Sequence, residues 1–125
     1  MIVLDTSALV RFFTRDNESK ARKVKSLLES DEELLLIDAV VMELIYTLVR
    51  VYGQSKDQIL EILKFLLSRA NIQINLELRK AVKVYEKENI SITDSLLVIY
   101  GQNNKIASFD EGLLKVKGVK GIWRG

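Results

Sequence analysis

Apolar residues in this chain follow two rhythms. Short unbroken runs at Ile2-Leu4, Leu34-Ile37 and Ile72-Ile74 alternate with longer stretches in which apolar positions recur every three or four residues. The runs predict buried strands and the stretches predict helices. Ala21, Val24, Leu27 and Leu28 form one helical stripe, and Val41, Leu44, Ile45, Leu48 and Tyr52 a second. Ile59, Ile62, Leu63, Leu66, Leu67 and Ala70 form a third, followed by Leu78, Ala81, Val82 and Tyr85. Punctuation between them is equally regular. Asp5-Thr6-Ser7 and Asp38 stand where helices would begin, since short polar side chains satisfy the free N–H groups of a first turn. Ser55-Lys56-Asp57-Gln58 has capping-box spacing, and Gly53 stops the preceding helix. A break at Asn89 to Ile92 precedes a helix from Thr93 or Asp94 to about Gly101. Lys105-Phe109 reads as a fourth strand and Val119-Trp123 as a fifth.

Strands alternating with helices predict an α/β fold with a parallel sheet covered on both faces. Nothing rich in Pro or Ser divides the chain, and 125 residues is a common single-domain size, so one domain over residues 1–125 is expected. The longest apolar runs, such as Leu96-Tyr100, fall far short of the roughly 20 residues needed to span a bilayer. No basic segment followed by an apolar one opens the chain, so no signal peptide is expected. A cytoplasmic protein without a membrane partner is the expectation.

Four acids interrupt or end these apolar segments: Asp5, Glu43, Asp94 and Asp110. In an open parallel sheet the ligand crevice lies outside the carboxyl ends of the strands. Asp5 and Asp110 follow the first and fourth strands, which a doubly wound order would make neighbours. Glu43 is the only charged residue between Asp38 and Arg50, near the start of the helix leaving the second strand. Asp94 sits at a helix start, where the dipole favours a carboxylate. Each has a plain alternative: a helix cap for Asp5 and Asp94, a solvent stripe with Thr47 and Arg50 for Glu43, and a turn for Asp110. Their common placement at one sheet edge favours a site.

The missing residues narrow the chemistry. The chain has no His and no Cys, so thiolate, imidazole and zinc-finger chemistry are excluded. Carboxylates about 5 Å apart repel by roughly 3 kcal/mol per pair at an effective dielectric near 20, so a four-acid cluster must protonate, spread or bind a cation. Oxygen ligands alone select Mg²⁺ or Mn²⁺. Such a metal suits phosphate chemistry.

Ile-Val-Leu-Asp-Thr-Ser-Ala-Leu at positions 2 to 9, Val-Met-Glu-Leu at 41 to 44, Ile-Thr-Asp-Ser-Leu-Leu at 92 to 97 and Ala-Ser-Phe-Asp at 107 to 110 together resemble the successive acidic motifs of PIN-domain proteins, in particular the VapC type. The resemblance covers essentially the whole chain in order. It implies a three-layer α/β/α sandwich with a central parallel sheet, and a Mg²⁺- or Mn²⁺-dependent ribonuclease that hydrolyses RNA as the toxin of a toxin-antitoxin pair. It also implies a homodimer inhibited by a VapB-like antitoxin. By motif, Asp5, Glu43, Asp94 and Asp110 become metal ligands, and Thr6 or Ser7 supports Asp5 or the attacking water. Two positions depart from the pattern. Ser108 stands where Thr is common, and Asp38 where a small hydroxyl residue is usual; Asp38 is an extra acid beside the metal or a helix cap, the cap being favoured.

RNA binding needs cations near the acids. Arg11 and Arg15, spaced i, i+4 after Asp5, are candidates, as are Lys115, Lys117 and Lys120, although a solvated face explains each as well. Tyr46, Tyr52, Tyr85, Tyr100 and Trp123 are assigned to core or interface. Surplus apolar helix surface, such as Ile59 to Ala70, would serve the antitoxin or a second copy. A catalytically idle PIN-like protein-binding module is the alternative function. A phosphoacceptor receiver or a phosphatase with Asp-x-Asp also places an Asp at a strand end, but position 7 is Ser.

Overall fold

A computed structural model describes residues 1–123 and resolves the apolar runs into a parallel ladder. Strand β1 (Ile2–Val3) pairs with β2 (Leu34–Leu36), Ile2 lying opposite Leu34 and Val3 opposite Leu35. Strand β2 pairs in turn with β3 (Ile72–Ile74), with Leu34 opposite Ile72 and Leu36 opposite Ile74. Seven helices complete an α/β architecture among the described residues. The chain divides into two compact units, one from Met1 to Asn75 and one beginning at Leu76.

In the first unit, parallel pairing forces each connection to cross over, and helices make those crossings. Helices α1 (Thr6–Thr14) and α2 (Glu18–Leu28) link β1 to β2, and α3 (Asp38–Arg50) and α4 (Lys56–Ser68) link β2 to β3. The stripes predicted for α3 and α4 are buried through Val41, Leu44, Leu48, Ile59, Leu63 and Leu66. Leu34, Leu36 and Ile72 of the sheet are buried as well, and α4 packs against β3. The first helical segment is two helices and not one. Arg15 adopts φ 54°, the left-handed conformation that ends α1, and its N–H bonds the Arg11 carbonyl at 3.0 Å. Asn17 then caps α2 by accepting from the Lys20 N–H at 3.0 Å.

Several expected details change. Ile2 and Val3 are exposed, and only Leu4 of that run is buried, because β1 is the terminal strand of the described ladder. Asp38 is not a cap: Ile37 holds the extended N-cap position of α3, and Asp38 opens its first turn. That helix ends at Arg50, so Tyr52 lies beyond it, before Gly53 turns the chain at φ 64°. The capping box at Ser55 and Gln58 forms in both directions, at 2.8 and 3.2 Å. Of the Ile59 to Ala70 stripe, Ile59, Leu63 and Leu66 are core, Ile62 and Leu67 are half-buried and Ala70 is exposed. Beside the stripe on the same helix, Phe65 is exposed and stacks on Phe12 with ring centroids 5.7 Å apart.

The second unit packs α5 (Leu76–Lys87) on α6 (Ile92–Tyr100). Beside them Val98, Ile106, Leu113 and Val119 form a buried cluster, covered by Val84, Ile90, Leu114 and Val116. The fourth and fifth strands shrink to one parallel bridge between Ile106 and Gly121. Ile106 donates to the Lys120 carbonyl at 2.7 Å and accepts from Ile122 at 3.0 Å. Only Ile106 of its run is buried. Phe109 is 81% exposed and stacks on Trp123 instead. A short helix, α7 (Glu111–Leu114), follows, and Gly121 lies so close under it that a Cβ would meet Leu114 Cδ2 at 2.7 Å.

One side chain holds together the loop that leads into β2. Asn71 Nδ2 lies 3.3 Å from the carbonyl oxygens of both Leu28 and Ser30 and 3.0 Å from that of Glu32, pinning the turn between α2 and β2 to the start of β3. Replacing Asn71 by Ala is expected to lower unfolding stability by about 1 to 3 kcal/mol, because those carbonyls lose their donor. Asn71→Asp should cost more, since a carboxylate would face three acceptors. Equilibrium urea denaturation measures both.

Candidate active site

The N-terminus of α1 is built by Asp5. Its backbone is extended at φ −103° and ψ 153°, and it caps the helix: Oδ2 accepts from the Ser7 N–H at 3.3 Å and from the Ser7 hydroxyl at 2.6 Å. The Ser7 hydroxyl, then the Ser7 and Thr6 backbone N–H groups, hold the Asp5 carboxyl below its ordinary value near 3.8, against a smaller opposing effect of burial. Asp5 is therefore a capping residue and a persistent anion at once. Its other oxygen has no partner among the described residues.

Asp5, Thr6, Ser7, Val10 and Arg11 line one side of a cleft of about 320 Å³, and Glu43, Thr47 and Tyr52 the other. Glu43 lies on α3, which leaves the carboxyl end of β2 as α1 leaves that of β1. The Glu43 carboxylate makes no hydrogen bond or ion pair among the described residues. Thr6 is 6% exposed, and its Oγ1 is buried without a hydrogen-bond partner in the described residues. A carboxylate held ionised, a second with no partner and an orphaned buried hydroxyl are all hard oxygen donors. That set fits a divalent ion of the Mg²⁺ or Mn²⁺ type, and the chain has no His or Cys to favour a softer one.

Arg11 and Tyr52 reach this cleft already engaged. Arg11 Nη1 pairs with Asp16 Oδ2 at 2.6 Å, and the Tyr52 hydroxyl donates to the same oxygen at 3.0 Å. Burial pushes the Asp16 carboxyl up, but the Tyr52 hydroxyl, the Arg11 charge and the Thr14 hydroxyl outweigh it and leave it lowered. Tyr52 was expected in the core or at an interface, and Asp16 drew no attention in the sequence. The available signal was the Asp16-Asn17 pair, which marks a helix break. Arg15 does not accompany Arg11: it stands beyond α1 and pairs with Glu18 at 3.2 Å.

The other two acids belong to the second unit. Asp94 is the third residue of α6, and its backbone N–H donates to Ser91 Oγ at 3.0 Å. The cap is thus Ser91, one turn earlier than expected, and the half-buried Asp94 carboxylate is not used for capping. Asp110 does cap, its Oδ1 accepting from the Leu113 N–H at 3.1 Å, while its own N–H donates to Ser108 Oγ at 2.9 Å. Among the described residues no group of three or more acidic side chains stands close enough together to hold a metal ion. Lys115, Lys117 and Lys120 are exposed around α7.

The sequence model of the PIN domain matches residues 2–119, and the chain belongs to that family. Within it, the chain is similar to a VapC ribonuclease of Aquifex aeolicus (strain VF5). The two are 28% identical over 102 residues, which cover 77% of this chain and 75% of the relative.

Because its folded pKa is lowered, the stabilising contribution of the Asp5 cap is fully present above the ordinary carboxyl value near 3.8 and is lost as pH falls through the lower folded value. Ser7→Ala removes the largest cause of that shift. The Asp5 titration should then move up toward the ordinary value, as read by carboxyl-carbon NMR; an unmoved titration would contradict the assignment.

Proposed function

We propose that this PIN-domain protein is a metal-dependent endoribonuclease, the toxin of a VapBC-type pair. The cleft that joins Asp5, Glu43 and the orphaned Thr6 hydroxyl carries the reading. The family match, running through all four acidic motifs, and the VapC relative support it. Because that match extends across both compact units, we read residues 1–125 as a single domain. Asp5 and Glu43 would hold Mg²⁺ or Mn²⁺, with Asp94 and Asp110 assigned as further ligands by their motifs alone.

When bound, the metal supplies a nucleophilic hydroxide at neutral pH and neutralises charge on the phosphodiester. The protein's own part begins at Ser7. Its hydroxyl occupies Asp5 Oδ2, keeping that carboxylate ionised and its orientation fixed while the second oxygen stays open. Glu43 brings a carboxylate that no other side chain neutralises among the described residues. The Thr6 hydroxyl, donor and acceptor together, can orient an attacking water. Arg11 offers its remaining guanidinium N–H groups to a phosphate oxygen. Single-stranded RNA is the substrate in this reading, and a VapB-like antitoxin is the partner that restrains it. The partly exposed aromatic cluster of Phe12, Phe13 and Phe65 supports self-association as a homodimer. A cytoplasmic location belongs to the same reading; no helix among the described residues is long and apolar enough to cross a membrane.

The decisive variant is Asp5→Asn. Asn caps helices about as well as Asp, so the fold should survive while the ligand charge is lost. Mn²⁺-dependent cleavage of single-stranded RNA should fall by at least about a hundredfold with an unchanged circular dichroism spectrum, a loss comparable to deleting one preorganised electrostatic group. Full activity in the folded variant would overturn the proposal. If the unsubstituted chain neither cleaves RNA nor binds Mn²⁺ in calorimetry, the protein-binding module takes its place.

A further inference from the structure

A second cleft adjoins the acidic one and shares a wall with it. It measures about 360 Å³ and is lined by Ser7, Ala8 and Arg11 of α1 and by Lys20, Lys23 and Val24 of α2. Ser7 and Arg11 line both clefts. Ala8 and Val24 give this second cleft an apolar floor, and the three cations give it a basic rim. Lys20 and Lys23 are spaced i, i+3, so they occupy one face of α2. Both are exposed, and neither forms an ion pair among the described residues. Helix α2 also carries Arg22 and Lys25, while its one acid, Glu18, is taken by Arg15.

Exposed lysines on a helix are ordinarily a solvated surface. Here they line a concavity continuous with an acidic cleft through Ser7, the residue that positions Asp5, and through Arg11, whose position is fixed by Asp16. Acids that attract a metal would by themselves repel a polyanion. A strand of RNA therefore needs a cationic track reaching the acids from the side, and this groove is one.

We infer that the α1–α2 groove binds the sugar-phosphate backbone of single-stranded RNA next to the scissile bond, Lys20 and Lys23 contacting flanking phosphates and Arg11 marking the junction with the cleavage site. The inference rests on the ribonuclease reading above. Lysine is suited to this role as a point charge that reads phosphate and not base, so the groove contributes affinity without sequence preference.

The test measures binding of a short fluorescein-labelled single-stranded RNA to the full-length Asp5→Asn protein by anisotropy over a series of salt concentrations. Adding Lys20→Gln and Lys23→Gln should weaken binding and reduce the slope of log affinity against log salt by about 1.4, two phosphates at roughly 0.7 each. Lys80→Gln with Lys83→Gln on α5 removes the same charge elsewhere and should leave the slope unaltered. An unchanged slope in the α2 pair, or an equal fall in both pairs, overturns the groove. Cleavage by the unsubstituted chain is assayed separately in Mn²⁺; its absence overturns the ribonuclease reading and leaves the groove to be judged by the binding slopes.

Discussion

Parallel strand pairing is the constraint from which the first unit's site follows. Parallel neighbours point the same way, so the segments that follow β1 and β2 must leave from the same sheet edge. Asp5 follows β1 after Leu4, and α3, carrying Glu43, follows β2. Two carboxylates far apart in the chain thus line one cleft because the strands that precede them are paired. The register is fixed by burial. Leu34 and Leu36 face the core with Ile72, and a shift by one residue would expose that whole set.

On this frame the Ser7 hydroxyl decides what Asp5 is. A capping Asp and a metal-binding Asp look alike in sequence, and the two roles are usually weighed against each other. Here the cap takes one oxygen and leaves the other for the proposed ligand role. Oδ2 receives both Ser7 donors, which completes the cap and lowers the pKa, and this leaves Oδ1 open. The same division holds at Asp110, where Oδ1 caps α7 and Oδ2 is left over. Capping therefore orients these carboxylates and is compatible with the ligand role proposed for them.

How far the sequence was legible follows from the range of each interaction. Strands Leu34–Leu36 and Ile72–Ile74, the stripes of α3 and α4 and the capping box at Ser55 were all readable, because periodicity and capping are local. What local pattern could not reach was pairing. Ile106 to Phe109 has the composition of a strand, yet it finds one bridge partner, at Gly121, and Phe109 turns outward onto Trp123. Asp38 and Asp94 show the limit of cap assignment, which slips by a residue or by a turn where two polar candidates compete, as Ser91 and Asp94 do. Of the candidate site, the shared placement of Asp5 and Glu43 was legible from the parallel-sheet rule, within an expected group that also held Asp94 and Asp110, whereas Thr6 and Ser7 entered through the family resemblance. Asp16 and Tyr52 were not legible, since their meeting depends on the left-handed turn at Arg15.

That turn answers a question that the proposed function raises. A cation placed beside Asp5 and Glu43 would be expected to pair with them and close the cleft. Arg11 lines the cleft, yet it pairs with Asp16, and Asp16 is anchored from the other side by Tyr52. An exposed ion pair of this kind contributes only about 0 to 1 kcal/mol to stability, so stability does not explain it. Its effect is geometric. The positive φ at Arg15 reverses the chain so that Asp16 faces back toward α1 and takes up the guanidinium. Among the described residues Glu43 keeps its unneutralised charge, and Arg11 keeps further N–H groups for the phosphate of the proposed substrate. Opposite charges can then stand side by side in one cleft without cancelling, as the proposed binding of a cation and a polyanion would require.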